Sequence, residues 1–518
     1  MKFHINLVDF IKKLNFIKVL FGLGILVYLM LLVKTAWLCD DSYITFRTVD
    51  NFINGYGLRW NVAERVQTYT HPLWMFLISA IYFFTREVFF TSLILSILIS
   101  LVTVYLMVFY FPKNIINMVL IFIPILTSKV FLDFSTSGLE NSLSHLLIAT
   151  LGIIYIKKEN NNKIKLIIGF LTALIMLNRM DLILMIIPLI VVKLYNSNKK
   201  GIIFFMIGFS PFVLWELFSL WYYGFPFPNT AYAKLDPGIS RIDLLREGLN
   251  YIKESFVIDP VTLITILSAL LWLSLFKKTD LIPFGIGIVL YLIYIGGDFM
   301  AGRFFTTPFV FSILILSSTS FEKRNTIFIT IALFILFGYI SLYRSIYNES
   351  HPYWNEIISK TSDSVMDERK FYFDGANLLA ALKGEEMPSN YWAKLGKEFR
   401  KVKKIIITNN IGFQGYYAGP NCYLLDNLAL SDPLRSRLPS QDIWRIGHYP
   451  RIIPDGYLNS IITNKNHILD PDLKKYYSKL LILTRGNLFD FSRLVEILQF
   501  NIGSYDYLLE SFVKRHNY

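Results

Sequence analysis

Long apolar runs alternate along this chain with short connections rich in lysine and arginine. Such runs are stable in a bilayer as helices that satisfy their own backbone groups. Runs that read as spans lie at 16–38, 90–111, 115–131, 142–156, 164–178, 182–195, 201–222, 260–276, 280–296, 304–319 and 325–342. At roughly 1.5 Å rise per residue and a hydrocarbon core near ~30 Å, they amount to about eleven membrane helices. Composition agrees: of 518 residues, 54% are hydrophobic and 16% aromatic, more than a soluble domain ordinarily carries.

The formal net charge of +13 collects in the connections around 12–18, 157–165, 196–200, 277–278 and 322–324. The positive-inside rule puts those connections in the cytoplasm. No basic stripe lies on a folded domain, so nucleic acid is not an expected partner, whereas membrane lipid is. The first apolar run is longer than a signal-peptide core and has no small-residue cleavage site, so it reads as a retained helix. The topology closes when "HPLWMFLISAIYFF" (71–84) stays at the outer face as an interfacial or re-entrant helix. Residues 1–342 then form an all-α polytopic bundle. Residues 343–518, with "KKIIITNN" and "CYLLDNLAL" as short buried strands, form an extracytoplasmic α/β domain. Cys39 and Cys422, far apart in sequence, are expected to be unpaired.

Charge is distributed one-sidedly. The outer connections carry Asp40, Asp41, Arg47 and Glu64; Asp133 and Glu140; Arg179 and Asp181; Lys234 and Asp236; and Asp298 and Arg303. Ionisable groups at membrane level usually face a cavity or a partner, so these clusters predict a polar site roofing the bundle on its outer side. The first outer loop, 39–87, is the most telling. "DDSYITFRTVDNFI" has helical periodicity and reads as an amphipathic helix on the membrane, with Asp40 and Arg47 on one face. From the residues alone, Asp40 and Asp41 are equally suited to cap that helix or to act as a base.

"DDSYITFRTVDNFINGYGLRWNVAERVQTYTHPLW" resembles the first-loop motif of membrane GT-C glycosyltransferases, and is most similar to that of the terminal β-(1→2) arabinofuranosyltransferases of cell-wall arabinan. "FSTSGLEN", "NTAYAK", "GGDFMAGRF", "GFQGYYAGPNCYLLDNLALSDPLRSRLP", "WRIGHYPR" and "PDGY" follow in order as further landmarks. Thr68, Tyr69, Thr70 and His71 depart from the Gly-Tyr-Thr-Asn of those enzymes, which leaves sugar and acceptor open. The resemblance implies a polyprenyl-phosphate sugar donor and a glycan acceptor, used on the outer face of the cytoplasmic membrane by an inverting transferase. It also implies that Asp40 and Asp41 supply the base, with Asp40 favoured.

An acceptor hydroxyl must lose its proton as it attacks the anomeric carbon, and the leaving phosphate needs cations. Arg303, Lys234, Arg179 and Arg47 are the candidates for phosphate contact. Glu140, Asp298, His71, Tyr69, Trp74, Tyr417, Trp444 and His448 are candidates for sugar or acceptor contact. The acidic loop offers oxygen ligands suited to Mg²⁺ or Ca²⁺; no His/Cys cluster suggests zinc. The competing readings are the same fold with another sugar or acceptor, as in lipopolysaccharide or protein glycosylation, and a glycolipid flippase. The absence of repeated halves weighs against the flippase. A noncatalytic scaffold sits poorly with the intact aspartate pair.

Overall fold

A computed structural model describes residues 7–110, 115–157, 161–195, 197–235, 238–276, 279–294, 297–318, 337–338, 365–401, 405–442 and 444–516. The chain is predominantly helical. The first part runs α1 (Leu7–Thr35), α2 (Asp40–Ile53), α3 (Pro72–Thr85), α4 (Phe89–Tyr110), α5 (Ile115–Thr127), α6 (Lys129–Phe134), α7 (Asn141–Ile156) and α8 (Asn162–Asn178). It continues through α9 (Ile183–Tyr195), α10 (Lys199–Tyr223), α11 (Asn229–Leu235), α12 (Arg241–Ile258), α13 (Pro260–Phe276), α14 (Ile282–Tyr294) and α15 (Thr306–Ser317).

Among the described residues, three helical stretches are long and apolar enough to cross a bilayer: Lys18–Thr35, Phe89–Tyr110 and Lys199–Tyr223. The pair α12 and α13 would make a fourth, but it bends by 109° at Asp259. These helices mark a membrane protein. The run at 115–131 divides at Ser128, whose hydroxyl caps α6 by accepting from the Phe131 amide at 3.0 Å. Within the described residues, the runs at 142–156, 164–178, 182–195, 260–276, 280–296 and 304–319 hold helices, several shorter than a full span. The run at 325–342 lies almost wholly outside the described residues. The 71–84 stretch forms α3, whose 14 residues reach about 21 Å, short of a bilayer core.

The bundle is closed by backbone contact at glycines. α8 and α10 lie so close that a Cβ on Gly169 would stand 2.1 Å from the Phe205 carbonyl oxygen, and one on Gly208 2.1 Å from that of Leu166. Small residues at helix crossings permit this approach, which adds dispersion contacts that apolar lipid cannot supply better.

The later part of the chain adds α16 (Glu368–Tyr372), α17 (Leu378–Leu382), α18 (Tyr391–Phe399), β1 (Ile405–Thr408), α19 (Phe413–Ala418), β2 (Tyr423–Asp426), α20 (Tyr457–Thr463), α21 (Pro471–Arg485), α22 (Phe491–Asn501) and α23 (Asp506–His516). Strands β1 and β2 pair in parallel, Ile405 opposite Tyr423 through Thr408 opposite Asp426, with α19 in the crossover. Leu425, Leu434, Tyr457, Leu473, Leu480 and Phe512 belong to one hydrophobic cluster under these elements. Cys39 and Cys422 are both buried and form no disulfide.

The first loop differs from its expected setting. α2 is buried on nearly every face, from Ser42 through Val49, so it does not lie on a lipid surface. The later chain covers its polar side. Arg47 donates to the carbonyls of Trp60 (2.9 Å), Cys422 (2.8 Å) and Gly415, and its guanidinium stacks over Trp60 at 4.3 Å. Asn61 exchanges two hydrogen bonds with the Leu424 backbone, at 3.0 and 3.1 Å. Glu64 accepts from the Tyr423 hydroxyl at 2.7 Å and pairs with Arg485 at 3.2 Å. Each is a buried polar group satisfied across the two halves of the chain.

A methyl group at the α8–α10 crossing is therefore expected to be costly. Gly208→Ala should lose about 1–3 kcal/mol of stability by overpacking. Gly22→Ala, with nothing within 4 Å, should be neutral or stabilising through helix propensity. Thermal unfolding of the two variants in one detergent checks this.

Candidate active site

The site is assembled on α7. Its N-terminus follows a tight "STSG" turn, and Gly138 takes φ +81 against Leu38 and Ser42, a conformation and space suited to glycine. That turn leaves Glu140 at the N-cap position, where the helix dipole favours a negative charge. The carboxylate is buried and meets three basic side chains from three other segments. Arg303 donates to Oε1 at 3.0 Å, Arg179 Nε lies 3.6 Å from Oε1, and His71 Nδ1 lies 3.3 Å from Oε2. Burial alone would raise the Glu140 pKa; Arg303, His71 and Arg179 outweigh it and bring the pKa down to about 2.

The partners are themselves held. Burial lowers the His71 pKa, with Arg303 and Arg179 adding to the effect. A neutral ring fits its contacts: Nδ1–H toward Glu140 and Nε2 accepting from the Thr45 hydroxyl at 2.7 Å. Arg179 leaves α8 in an extended conformation. It pairs with Asp181, and it donates to the Tyr291 hydroxyl at 2.8 Å, which in turn donates to Asp181 at 2.9 Å. Its Nη1 is buried with no hydrogen-bond partner. Arg303 also reaches Asn141 Oδ1 at 3.4 Å and stands 3.9 Å from Asp298. Burial works against the Arg303 charge, but Glu140 and Asp298 more than offset it.

Around this node stand the acids. Burial raises the Asp298 pKa, opposed by Arg303 and Lys234. One Asp298 oxygen accepts from the Phe299 amide at 2.8 Å, and Oδ2 is buried without a hydrogen-bond partner. Asp41 is half-buried at the start of α2 and makes no hydrogen bond or ion pair with any described residue. Its charge is felt at His71, Arg303, Asp298 and Glu368. Glu368, at the start of α16, is pushed well above the usual carboxylate range by burial, and then by Asp41. Sequence reasoning missed Glu368, which stands in a stretch without any local motif.

Asp40 faces the other way. Its two oxygens accept from the amides of Phe413 (2.7 Å) and Gly412 (3.2 Å), so it caps α19. A Cβ at Gly412 would lie 2.4 Å from the Asp40 carboxylate, so a glycine is needed for this contact. Burial raises the Asp40 pKa to about 7, with the Phe413 amide opposing and Asp41 adding to the rise.

Other sequence candidates divide. Lys234 sits 5.7 Å from the Phe299 ring, beside Asp298. His448 packs edge-on against Phe299 at 4.4 Å and its Nε2 accepts from Arg445 at 3.0 Å. Burial, then Arg445 and Lys234, holds His448 well below its usual pKa. Both border the site. Arg47 does not, because its donors are engaged by carbonyls. Tyr69 bonds the Tyr223 hydroxyl at 2.8 Å and Trp74 bonds the Gly138 carbonyl at 2.9 Å. Tyr417 packs against Tyr43, and Trp444 against Tyr449. These four aromatics are engaged by neighbouring side chains and backbone. No group of three or more His, Cys, Asp or Glu side chains among the described residues is set to hold a metal ion.

No protein-family model matches the chain. In an alignment 525 positions long that covers 82% of its own length and 82% of the other's, it is 24% identical to the terminal beta-(1->2)-arabinofuranosyltransferase of Mycobacterium tuberculosis (strain ATCC 25618 / H37Rv). The resemblance read from the motifs therefore extends over most of both chains.

Glu140→Gln removes the one carboxylate shared by Arg303, Arg179 and His71. A loss of about 3–5 kcal/mol is expected, because it leaves buried charge uncompensated. The depressed pKa means that this contribution is full above 4.5 and is lost as pH falls through about 2. The difference in melting temperature between wild type and Glu140→Gln should therefore shrink over that window.

Proposed function

We propose that this protein is a glycosyltransferase of the cytoplasmic membrane that moves a sugar, arabinofuranose, from a polyprenyl-phosphate donor to a cell-envelope glycan acceptor on the outer face. The single observation that carries the reading is the Glu140 node: Arg303 and Arg179 are buried on one carboxylate, Arg179 Nη1 has no hydrogen-bond partner, and the charge of the unbonded Asp41 reaches Arg303. The similarity to an arabinofuranosyltransferase supplies the sugar class. In this reading about eleven helices of a GT-C-type bundle cross the membrane. The connections bearing Asp41, Glu140, Arg179, Asp298 and Arg303 lie outside, with the α/β part above them.

The chemistry follows from the residues. The donor phosphate takes hydrogen bonds from Arg179 Nη1 and from Arg303, while Lys234 adds positive charge. Asp41 accepts the proton of the acceptor hydroxyl as its oxygen attacks the anomeric carbon. The bond from that carbon to the phosphate oxygen breaks, and polyprenyl phosphate leaves with the electron pair. Arginines fixed beforehand by Glu140 and Asp181 stabilise the leaving charge without reorganising. Such a single displacement inverts the anomeric centre. Asp298 takes a sugar hydroxyl through its unbonded oxygen, and His448, whose ring nitrogens are engaged by Arg445 and the Ile446 carbonyl, packs behind it on Phe299. Asp41 is preferred to Asp40 as the base because both Asp40 oxygens already accept backbone amides.

Purified protein in nanodiscs, given polyprenyl-phosphoryl-arabinofuranose and a short arabinan, tests this. Asp41→Asn should lower kcat by about 10²–10⁴-fold, the usual worth of a general base. Asp40→Asn, if folded, should lose less than about tenfold, since an amide oxygen still caps α19. The reverse order would return the base to Asp40. Transfer from a different polyprenyl-phosphate sugar, with none from this donor, would keep the transferase and replace arabinose.

A further inference from the structure

The helix α22 stands within the part of the chain read as a soluble outer domain, yet one side of it is apolar and uncovered. Phe491, Leu494, Val495, Leu498 and Ile502 fall within about 100° of arc at ~100° per residue. Phe491 is 76%, Leu498 59% and Ile502 64% exposed, and Phe489 just before the helix is 82% exposed. The opposite side is fully engaged. Arg493 is wholly buried, and Glu496 accepts from Lys479 and from the Tyr505 hydroxyl.

The place of this face in the fold identifies what covers it. Arg493 donates to the Tyr222 carbonyl at 2.9 Å and to that of Trp221, the last turn of α10. Asn501 donates to the Gly224 carbonyl at 2.9 Å, and Phe489 packs on Trp221 at 5.7 Å. α10 is one of the three helices suited to cross a bilayer, and Leu214 and Leu217 on it are exposed. It ends in Trp221, Tyr222 and Tyr223, residues that concentrate at the membrane–water boundary. α22 is thus fastened at the level where α10 leaves the hydrocarbon.

A second helix repeats the pattern on its own evidence. α12 exposes Ile242, Leu245, Leu249, Ile252 and Phe256 along one side, and it turns 109° from the apolar α13. Its other side holds the Arg303 loop: Ser255 accepts from the Gly302 amide at 2.9 Å and Tyr251 from the Phe304 amide at 3.2 Å.

We infer that α22 and α12 lie in the outer leaflet with their apolar sides among lipid chains, so that the later part of the chain and the Arg303 loop are both seated on the membrane surface. Helices with one apolar and one polar face bind membranes in this way. The inference rests on the membrane reading of α10 and is independent of the chemistry proposed for the site.

The test uses full-length protein carrying one cysteine-linked environment-sensitive fluorophore at a time, at Leu498→Cys, Ile252→Cys, Leu214→Cys or Lys474→Cys. Cys39 and Cys422 are buried. The protein is placed in phosphatidylethanolamine–phosphatidylglycerol nanodiscs with and without spin-labelled phosphatidylcholine. Quenching at 498 and 252 should exceed that at 474 by at least about twofold and approach that at 214. Quenching at 214 alone would overturn the inference while keeping α10 in the membrane. No quenching at 214 would overturn the membrane reading of α10 and the inference with it. Disulfide-linked dimers of Leu498→Cys without quenching would overturn it in favour of a second copy.

Discussion

One buried carboxylate organises the site. Glu140 would be expensive to keep ionised alone in this interior, Arg179 and Arg303 would be expensive without it, and the neutral His71 ring would lose the acceptor of its Nδ1–H. Each comes from a separate connection, yet all converge on one pair of oxygens. Electrostatic necessity therefore holds four segments together, where the lengths and apolarity of the helices could not. It also pre-positions cationic groups whose donors are not all used up, as the unpartnered Arg179 Nη1 shows. A site of this kind is charged before any ligand arrives, which is the condition for stabilising a leaving phosphate.

The first loop is the second constraint. α2 is enclosed between the bundle and the later chain, and its polar groups are answered from both sides. Arg47 and Asp40 tie it to the segment around Gly412–Cys422, while Thr45 bonds His71 of the Glu140 node and the charge of Asp41 reaches it. Two adjacent aspartates thus serve different surfaces. About 100° separates neighbours on a helix, enough to send one carboxylate to an amide pair and leave the other toward the arginines. The later chain is bonded to the loop that carries the proposed base, so the two parts are mechanically linked.

Much of this was legible. The apolar runs located most of the helices, and the mixed charge clusters between them included Glu140, Arg179, Asp298 and Arg303, because charge beside an apolar run is costly unless used. What sequence spacing could not show was pairing across the chain. Arg179 with Asp181 looked self-contained, but Arg179 also turns to Glu140. Arg47 shares a helix with Asp40, and seven residues' separation suggested a shared site, but the covering chain supplied three carbonyls to its guanidinium. The burial of α2 was equally hidden, since an amphipathic helix reads alike whether lipid or protein covers it. Glu368 gave no local signal, and its importance comes only from where α16 is brought.

The most direct test of the account is a cryo-EM structure of the protein with a non-transferable polyprenyl-phosphoryl sugar. Phosphate oxygens are expected about 2.7–3.2 Å from Arg179 Nη1 and from Arg303, with the anomeric carbon turned toward Asp41. A phosphate seated away from the arginines of the Glu140 node, or a sugar whose reacting carbon faces Asp40 and the Gly412 turn, would contradict it.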